Sequence, residues 1–369
     1  MLAIKRIFAA LVIFCLMFEQ SGFAQVAPQL GVPAYLSGYV AADKFRPVQL
    51  RSVSFDQAAG KFDLYLDKGD VKKLKSSDIE KTTKQLMQYF HIGLALPNSM
   101  FWVNLRPDND KNIIDPNLEA TDLGKVLLEA DLQLKKDMAA FTSPQRKEGR
   151  EYWNALYAKV ESVFGANEEI TIPTATRPWV VPGEVVIRQA KDSAYIYKAT
   201  LKVMLEQDYI KDSVQNTADP RMKQINEFSS ELIRTMILPK LTREVNSSAK
   251  YASLRQVYYS LLLEQWFKIQ YQGKTGKYAS LIDSKDLSGL VSTSKWSKQG
   301  YYEAYQKSFA KGEYNISETT QTNSGYTVRQ YFSGGFNLGT TFTPGAEQAL
   351  GTAITAAPAT TSVVSDELV

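Results

Sequence analysis

Residues 179–205, which read WVVPGEVVIRQAKDSAYIYKATLKVML, decide the fold of this chain. The apolar runs at 170–173, 179–182 and 185–187 are short and punctuated by proline, a pattern that is typical of strands. From residue 195 onward apolar and polar side chains alternate, which predicts a further strand, with a helix as the alternative for its second half. The apolar positions of this alternation are Tyr195, Tyr197, Ala199, Leu201, Val203 and Leu205.

Helical patterns flank this β region on both sides. Upstream, apolar residues recur at helical spacing over 116–140 and over 145–164. Downstream, a long helical region covers 219–272, and Pro239 is expected to kink or split it. A further helix is predicted over 297–311, where aromatic residues follow the same spacing.

Two hairpins complete the predicted fold. Alternating residues over 48–55 and 62–66 surround an Ala-Ala-Gly turn at 58–60, and Asn-Ser-Gly at 323–325 marks a second turn. A short apolar strand is expected over 100–105. We therefore expect an α+β fold with an N-terminal hairpin, several amphipathic helices, a central antiparallel β region, a C-terminal hairpin and a disordered tail.

Composition divides the chain into four segments. A leader covers 1–24 and a lead-in with little periodicity covers 25–45. We expect one α+β domain over 46–337, with a subdivision near 166–218 as the alternative. The Thr/Ala/Gly-rich segment 338–369 has too few large apolar residues to offset the entropy of ordering, which predicts disorder.

The leader has the order of features that a cleavable secretory signal shows. Lys5 and Arg6 precede an apolar run at 7–18, and small residues stand before a cleavage site between Ala24 and Gln25. The run is shorter than the about 20 residues that span a bilayer, although an uncleaved anchor is the alternative. Export predicts a secreted protein in the periplasm or the extracellular space, without a membrane-spanning segment after cleavage.

The only cysteine, Cys15, lies in the leader, so the mature chain is cysteine-free and without a disulfide or a thiol nucleophile. A chain of this length does not need disulfides, because it buries about three quarters of its unfolded surface. The net charge of +4 is spread among interspersed acids and bases, and the densest basic run is 72–75. This charge distribution argues against nucleic-acid binding.

Several stretches across residues 100–335 resemble a family of uncharacterised exported bacterial proteins. The resemblance implies that residues 46–336 are one evolutionary unit. The family has no assigned activity, so it implies no catalytic role for any residue. The stretches are NLRPD at 104–108, the run 122–135, TRPW at 176–179, YIYKAT at 195–200, the region 244–258 and YFSGG at 331–335.

Metal and nucleophile chemistry find little support in the residues. His91 is the only histidine and sits beside Phe90, where a packed imidazole is the expected environment. Zinc sites are built mainly from histidine and cysteine, and a Ser-His-Asp triad would have to use His91. The acidic segment 108–115 lacks the glycine and distal glutamate of a calcium loop, so we expect a solvated turn, no metal and no cofactor.

Carboxylates are the remaining catalytic option. Asp122, Glu129 and Asp131 lie on the helix at 116–140, and Asp122 and Glu129 are two turns apart, about 10.5 Å. Two such acids would suit a hydrolase that acts on envelope polysaccharide. The other interpretation is a solvated face, in which Asp131 and Lys135 form a stabilising i,i+4 pair beside Lys136.

Binding residues are predicted in two loops that share an Arg-Pro pair. Arg106 and Asp108 lie in one loop, and Arg177 and Trp179 lie in the other. Arginine offers a planar fork for carboxylates, and an exposed tryptophan could stack on a sugar or a peptide. We therefore expect an exported, non-catalytic binding or assembly protein of the cell envelope or extracellular space, whose partner is a protein or a glycan.

Overall fold

In the computed structural model, the described residues form helices and two β-sheets. The fold is therefore α+β, as the sequence predicted. The described residues are 44–73, 75–106, 113–166, 169–209, 219–274, 276, 278–292, 298–319, 326–339 and 361–365. The leader, residue 108 and the 323–325 turn lie outside these residues, as does most of the tail. Within the described ranges, no helix has the length and apolarity that crossing a membrane requires.

The strands form a mixed main sheet and a smaller sheet. They are β1 (Gln49–Asp56), β2 (Lys61–Asp67), β3 (Trp102–Leu105), β4 (Thr171–Thr176), β5 (Pro178–Gln189), β6 (Ser193–Leu205), β7 (Asn315–Thr319), β8 (Thr327–Phe332), β9 (Gly334–Asn337) and β10 (Thr361–Ser365). The main sheet has the order β2-β1-β6-β5-β9-β3, and the smaller sheet has the order β4-β8-β7. Neighbours are antiparallel except for β5 with β9 and β4 with β8, and β10 also pairs parallel with β5.

The helices pack on the main sheet and on one another. They are α1 (Ser76–Ala95), α2 (Pro116–Glu119), α3 (Asp122–Thr142), α4 (Lys147–Phe164), α5 (Glu206–Tyr209), α6 (Pro220–Leu232), α7 (Leu238–Ser247), α8 (Ala252–Tyr271) and α9 (Lys298–Ala310). Helix α8 is the centre of this layer, since it contacts α1, α3, β1 and β6. Nearly all of its residues from Leu254 to Lys268 are buried, which explains why its sequence is apolar on all sides.

Local signals explain where several helices begin and end. Asp115 caps α2 and Thr121 caps α3, so the pattern over 116–140 folds as two helices rather than one. Gly165 follows α4 with a φ of 91°, a conformation that suits glycine. A π-helical turn at Ile233–Ile237 precedes Pro239 and interrupts the regular α-helix there, while helical residues continue to Ser247.

The central β region is divided into strands differently from its prediction, and residues 171–173 of its first run lie in β4 of the smaller sheet. The runs at 179–182 and 185–187 belong to one continuous strand, β5, which pairs with β6 along its whole length. A register shift between Pro182 and Val185 accommodates the breakers, and the Thr200 hydroxyl accepts a hydrogen bond from the Glu184 amide there. Strand β6 is extended throughout, so the helical alternative for its second half is wrong.

Candidate functional site

The three carboxylates predicted on the helix at 116–140 lie on α3 in three different environments. Asp122 accepts a hydrogen bond from the Ser292 hydroxyl. Glu129 is exposed and accepts one from the Tyr301 hydroxyl at 2.9 Å. Asp131 is fully buried. The helix therefore directs these acids to separate partners, and a substrate in solvent has no direct access to Asp131.

Asp131 forms an ion pair with Lys135 inside the protein, where both side chains are fully buried. Lys135 Nζ also lies 3.5 Å from the Gly334 carbonyl oxygen and 5.2 Å from the centre of the Tyr305 ring. Burial raises the pKa of Asp131 to about 6, although the lysine opposes this rise, and burial lowers the pKa of Lys135. The predicted i,i+4 pair is confirmed. The prediction that Asp131 and Lys135 lie on a solvated helix face is wrong, because both are buried.

The predicted binding residues of the second loop are tied down by one glutamate. Glu206 accepts a hydrogen bond from Arg177 at 2.9 Å and another from the Trp179 indole at 3.0 Å. The Trp179 ring is buried and stacks on Tyr209, with ring centres 5.6 Å apart. Because Tyr209 covers it, Trp179 holds α5 against β5 and does not present its ring to a ligand at the surface.

The other predicted positions are not brought together with this loop in the described residues. Arg106 directly follows β3 and is half-buried, while Asp108 lies outside the described residues. His91 packs against the rings of Phe62 and Tyr278, and burial lowers its pKa, so its imidazole is neutral near pH 7. No cluster of three or more metal-binding side chains occurs among the residues that the structure describes.

An exposed group of aromatic and cationic side chains lies instead on the main sheet, where Tyr195 and Tyr197 alternate along β6 with the buried Ala194 and Ile196. We call it the tyrosine face and define it as Arg51, Tyr65, Arg188, Tyr195 and Tyr197. The three tyrosines are 59%, 37% and 58% exposed in the order Tyr65, Tyr195, Tyr197. Such exposure is unusual for large aromatic side chains, which normally bury most of their area.

Strand register places most of the tyrosine face in one row across four strands. Ser52 of β1 pairs with Tyr65 of β2 on one side and with Tyr195 of β6 on the other, and Tyr195 pairs with Arg188 of β5. Neighbouring strands are about 4.8 Å apart, so the row extends over about 14 Å. The rings of Tyr65 and Tyr195 lean toward each other over the small Ser52, with centres 6.4 Å apart.

Two β-bulges bring the remaining residues to this face. Arg51 is the extra residue of β1 between Leu50 and Ser52, and Tyr197 is the extra residue of β6 opposite the step from Val186 to Ile187. The two bulges contact each other, because the Arg51 guanidinium donates to the Tyr197 carbonyl at 3.0 Å. Bulges re-aim side chains and are over-represented beside functional sites, so their meeting here favours a binding role.

The arginines give the tyrosine face its charge. The Arg51 guanidinium is 5.7 Å from the centre of the Tyr195 ring, and that of Arg188 is 5.4 Å from the centre of the Tyr197 ring. Partial burial acts to lower the pKa of Arg51, but the nearby Tyr195, Tyr259 and Asp67 raise it overall. The Arg51 guanidinium also donates a hydrogen bond to the Tyr259 hydroxyl of α8 at 3.1 Å. Both cations lie over aromatic rings, but Arg188 is exposed whereas Arg51 is half-buried.

The alternation over 62–66 predicts that Tyr65 lies on the side of its strand opposite Leu64 and Leu66, which the structure confirms, but it does not identify the tyrosine face. The face offers phenol hydroxyls, aromatic surface and guanidinium groups at one exposed place. Tyrosine and arginine are the residues that dominate binding hot spots. No protein-family model, no curated protein and no solved structure matches the chain.

Proposed function

We propose that this protein is exported and acts as a non-catalytic binding protein of the cell envelope or the extracellular space, which contacts its partner through the tyrosine face. The observation that carries the proposal is the pair of bulges at Arg51 and Tyr197, which places cations and rings together on an exposed sheet surface.

The composition of this surface supports binding. Tyrosine supplies rigid aromatic area together with a hydrogen-bonding hydroxyl, and it loses little conformational entropy when it is buried. Arginine supplies a planar fork that recognises carboxylates. An envelope protein and a glycan with acidic groups both offer these contacts.

The arrangement of the acids favours binding over hydrolysis of polysaccharide. A glycosidase needs two carboxyl groups that flank a bond of the substrate. Here Asp131 is enclosed with Lys135, whereas Asp122 accepts a hydrogen bond from Ser292 and Glu129 accepts one from Tyr301. Export is supported by the leader at 1–24, whose order of features is that of a secretory signal.

The proposal is tested by sedimenting the purified protein with washed envelope particles from its own host. The double variant Tyr65→Ser, Tyr197→Ser removes two exposed rings, while the hydrogen bond from the Arg51 guanidinium to the main-chain carbonyl of residue 197 stays in place. Because hot-spot side chains contribute more than about 1 kcal/mol each, we expect the variant to bind at least about tenfold more weakly. Protease treatment of the particles distinguishes a protein partner from a glycan.

The matched control is Ile269→Ser, since Ile269 is 57% exposed but lies on α8 and not on the sheet. We expect this control to bind as the unaltered protein does. Equal binding by the double variant and the control would refute the role of the tyrosine face, and turnover of envelope polysaccharide that depends on Glu129 would favour the hydrolase.

A further inference from the structure

Strand β2 forms one edge of the main sheet, and within the described residues it pairs only with β1. Its inward side chains Phe62, Leu64 and Leu66 are only partly buried, whereas Val53 and Phe55 on the neighbouring strand are buried. An edge strand presents unpaired amide and carbonyl groups to other strands. The partly buried side chains leave apolar surface at this edge that a further strand would cover.

The sequence of β2, KFDLYLD, is complementary to itself when a second copy runs antiparallel about an axis at Leu64. In that register Lys61 faces Asp67 of the second copy, and the same pair forms again at the other end of the strand. Phe62 faces Leu66, and Leu64 faces its own counterpart. Opposite charges and apolar pairs across strands are the contacts that stabilise a sheet.

Other registers lose this complementarity. A shift by two residues in one direction places Asp63 opposite its own counterpart, and a shift in the other direction places Asp63 opposite Asp67. Like charges directly opposite each other destabilise a pair of strands. A shift by one residue would set the outward Tyr65 opposite the inward Leu64 or, in the other direction, the inward Phe62, which the burial of one face forbids.

We propose that β2 pairs with β2 of a second copy of this chain about a two-fold axis at Leu64, so that the two main sheets become one. A contact of this kind closes after two copies, because each copy uses the same edge. The tyrosine faces of both copies then lie on the same side of the joined sheet. A partner with repeated sites would engage both faces and gain affinity from the second contact.

Charge reversal tests the register. The variants Lys61→Asp and Asp67→Lys each replace two attractive contacts with two repulsive ones, and the double variant restores both. We expect each single variant to raise the dimer dissociation constant by about tenfold or more, and the double variant to recover most of this loss. The dimer dissociation constant is measured by sedimentation equilibrium on protein that is expressed from the full chain. Melting temperatures check folding, since Asp67 also accepts a hydrogen bond from the Gly69 amide.

Lys223→Asp is the matched control. Lys223 is exposed on α6, so its replacement by aspartate makes the same change in charge away from the β2 edge. We expect it to dimerise normally. A protein that is monomeric at about 100 μM, a concentration at which dimers of micromolar affinity persist, would overturn the proposal. Single variants that dimerise as well as the double variant would also overturn it.

A cysteine on the axis provides a second measurement that does not depend on surface charge. Directly opposite residues have Cβ atoms about 4.5–5.5 Å apart, so Leu64→Cys should cross-link to itself under mild oxidation in a Cys15→Ser background. Leu66→Cys is the control, because its counterpart lies about 14 Å away along the strands. Cross-linking of Leu66→Cys but not of Leu64→Cys would refute the register.

Discussion

Replacing Lys135 by methionine should strongly destabilise the protein, because the buried carboxylate of Asp131 is left without a cation. Methionine retains the length of the lysine side chain, but it leaves Asp131 without its cation in a fully buried place. One oxygen of Asp131, Oδ1, already has no hydrogen-bond partner among the described residues. Removing one member of a buried ion pair costs about 3–5 kcal/mol, a large part of the usual stability of a folded protein.

The pH dependence of this loss has a definite sign. With Lys135 present, burial raises the pKa of Asp131 from 3.8 to about 6 in the folded protein, and loss of the cation raises it further. A carboxyl group with a raised pKa in the folded state binds more protons folded than unfolded. Its stabilising contribution is therefore complete below pH 3.8 and is lost as the pH rises through the folded-state pKa. The variant should thus regain up to about 1.4 kcal/mol per pH unit on acidification from pH 8.

The assay is urea unfolding, followed by tryptophan fluorescence at pH 7.5 and at pH 5.5, with the free energy of unfolding compared between variants. The control is Asp131→Asn combined with Lys135→Met, which removes both charges at nearly constant volume. We expect the double variant to recover at least about 2 kcal/mol of the loss at pH 7.5, because no buried charge remains unpaired. If the loss in Lys135→Met does not change with pH and the double variant recovers none of it, an unpaired charge is not its cause.

Three further predictions concern export, packing and the tail. N-terminal sequencing of secreted protein should begin at Gln25, after cleavage behind Ala24; an intact leader on membrane-bound material would contradict export. Gly93→Ala should lower the free energy of unfolding by about 1–3 kcal/mol, because the new Cβ would lie 2.6 Å from Glu264 Cγ. Thermal denaturation measures this loss, and an unchanged stability would show that α1 and α8 adjust freely. Truncation after residue 340 removes β10 but should leave the melting temperature unchanged, as the low apolar content of the tail predicts; a soluble but less stable product would show that the pairing of β10 with β5 contributes to folding.

The helices and the first hairpin could be predicted because their signals are local. The helical spacing of apolar residues and a following glycine gave α4 to within two residues at its N-terminus. The alternation over 62–66 gave the inward and outward sides of β2 correctly. Such elements depend on neighbours within a few positions of the chain, and these are visible in one sequence.

Strand partners could not be predicted, because they join distant parts of the chain. Strand β4 directly precedes β5 but leaves the main sheet and pairs in parallel with β8. Strand β9 follows β8 after one residue, yet it returns to the main sheet between β5 and β3. The burial of Asp131 and Trp179 depends on this topology, since Lys135 approaches Gly334 of β9 and the Trp179 ring lies close to Gly335. Neither contact has a local signal.

The tyrosine face was missed for a different reason, which lies in how alternation is counted. Counting back from Leu205 in steps of two places Tyr197 and Tyr195 on the buried side of β6. In the structure this count holds only as far as Ala199, because Tyr197 is an extra residue without an opposite partner. Beyond the bulge the buried positions are therefore of the other parity, and Tyr195 faces solvent.

The break in parity is itself visible in the sequence. Ala194 and Ile196 form one apolar set of even-numbered positions, and Leu201, Val203 and Leu205 form another of odd-numbered positions, so the two sets cannot share a face of a regular strand. A single extra residue between them reconciles both sets, and the structure has it at Tyr197. Bulges re-aim side chains and are over-represented beside functional sites. Apolar residues that change from even-numbered to odd-numbered positions within one strand therefore indicate a bulge and a candidate binding surface. At such a bulge, side chains face solvent instead of the core, and in this protein those side chains are tyrosines beside arginine.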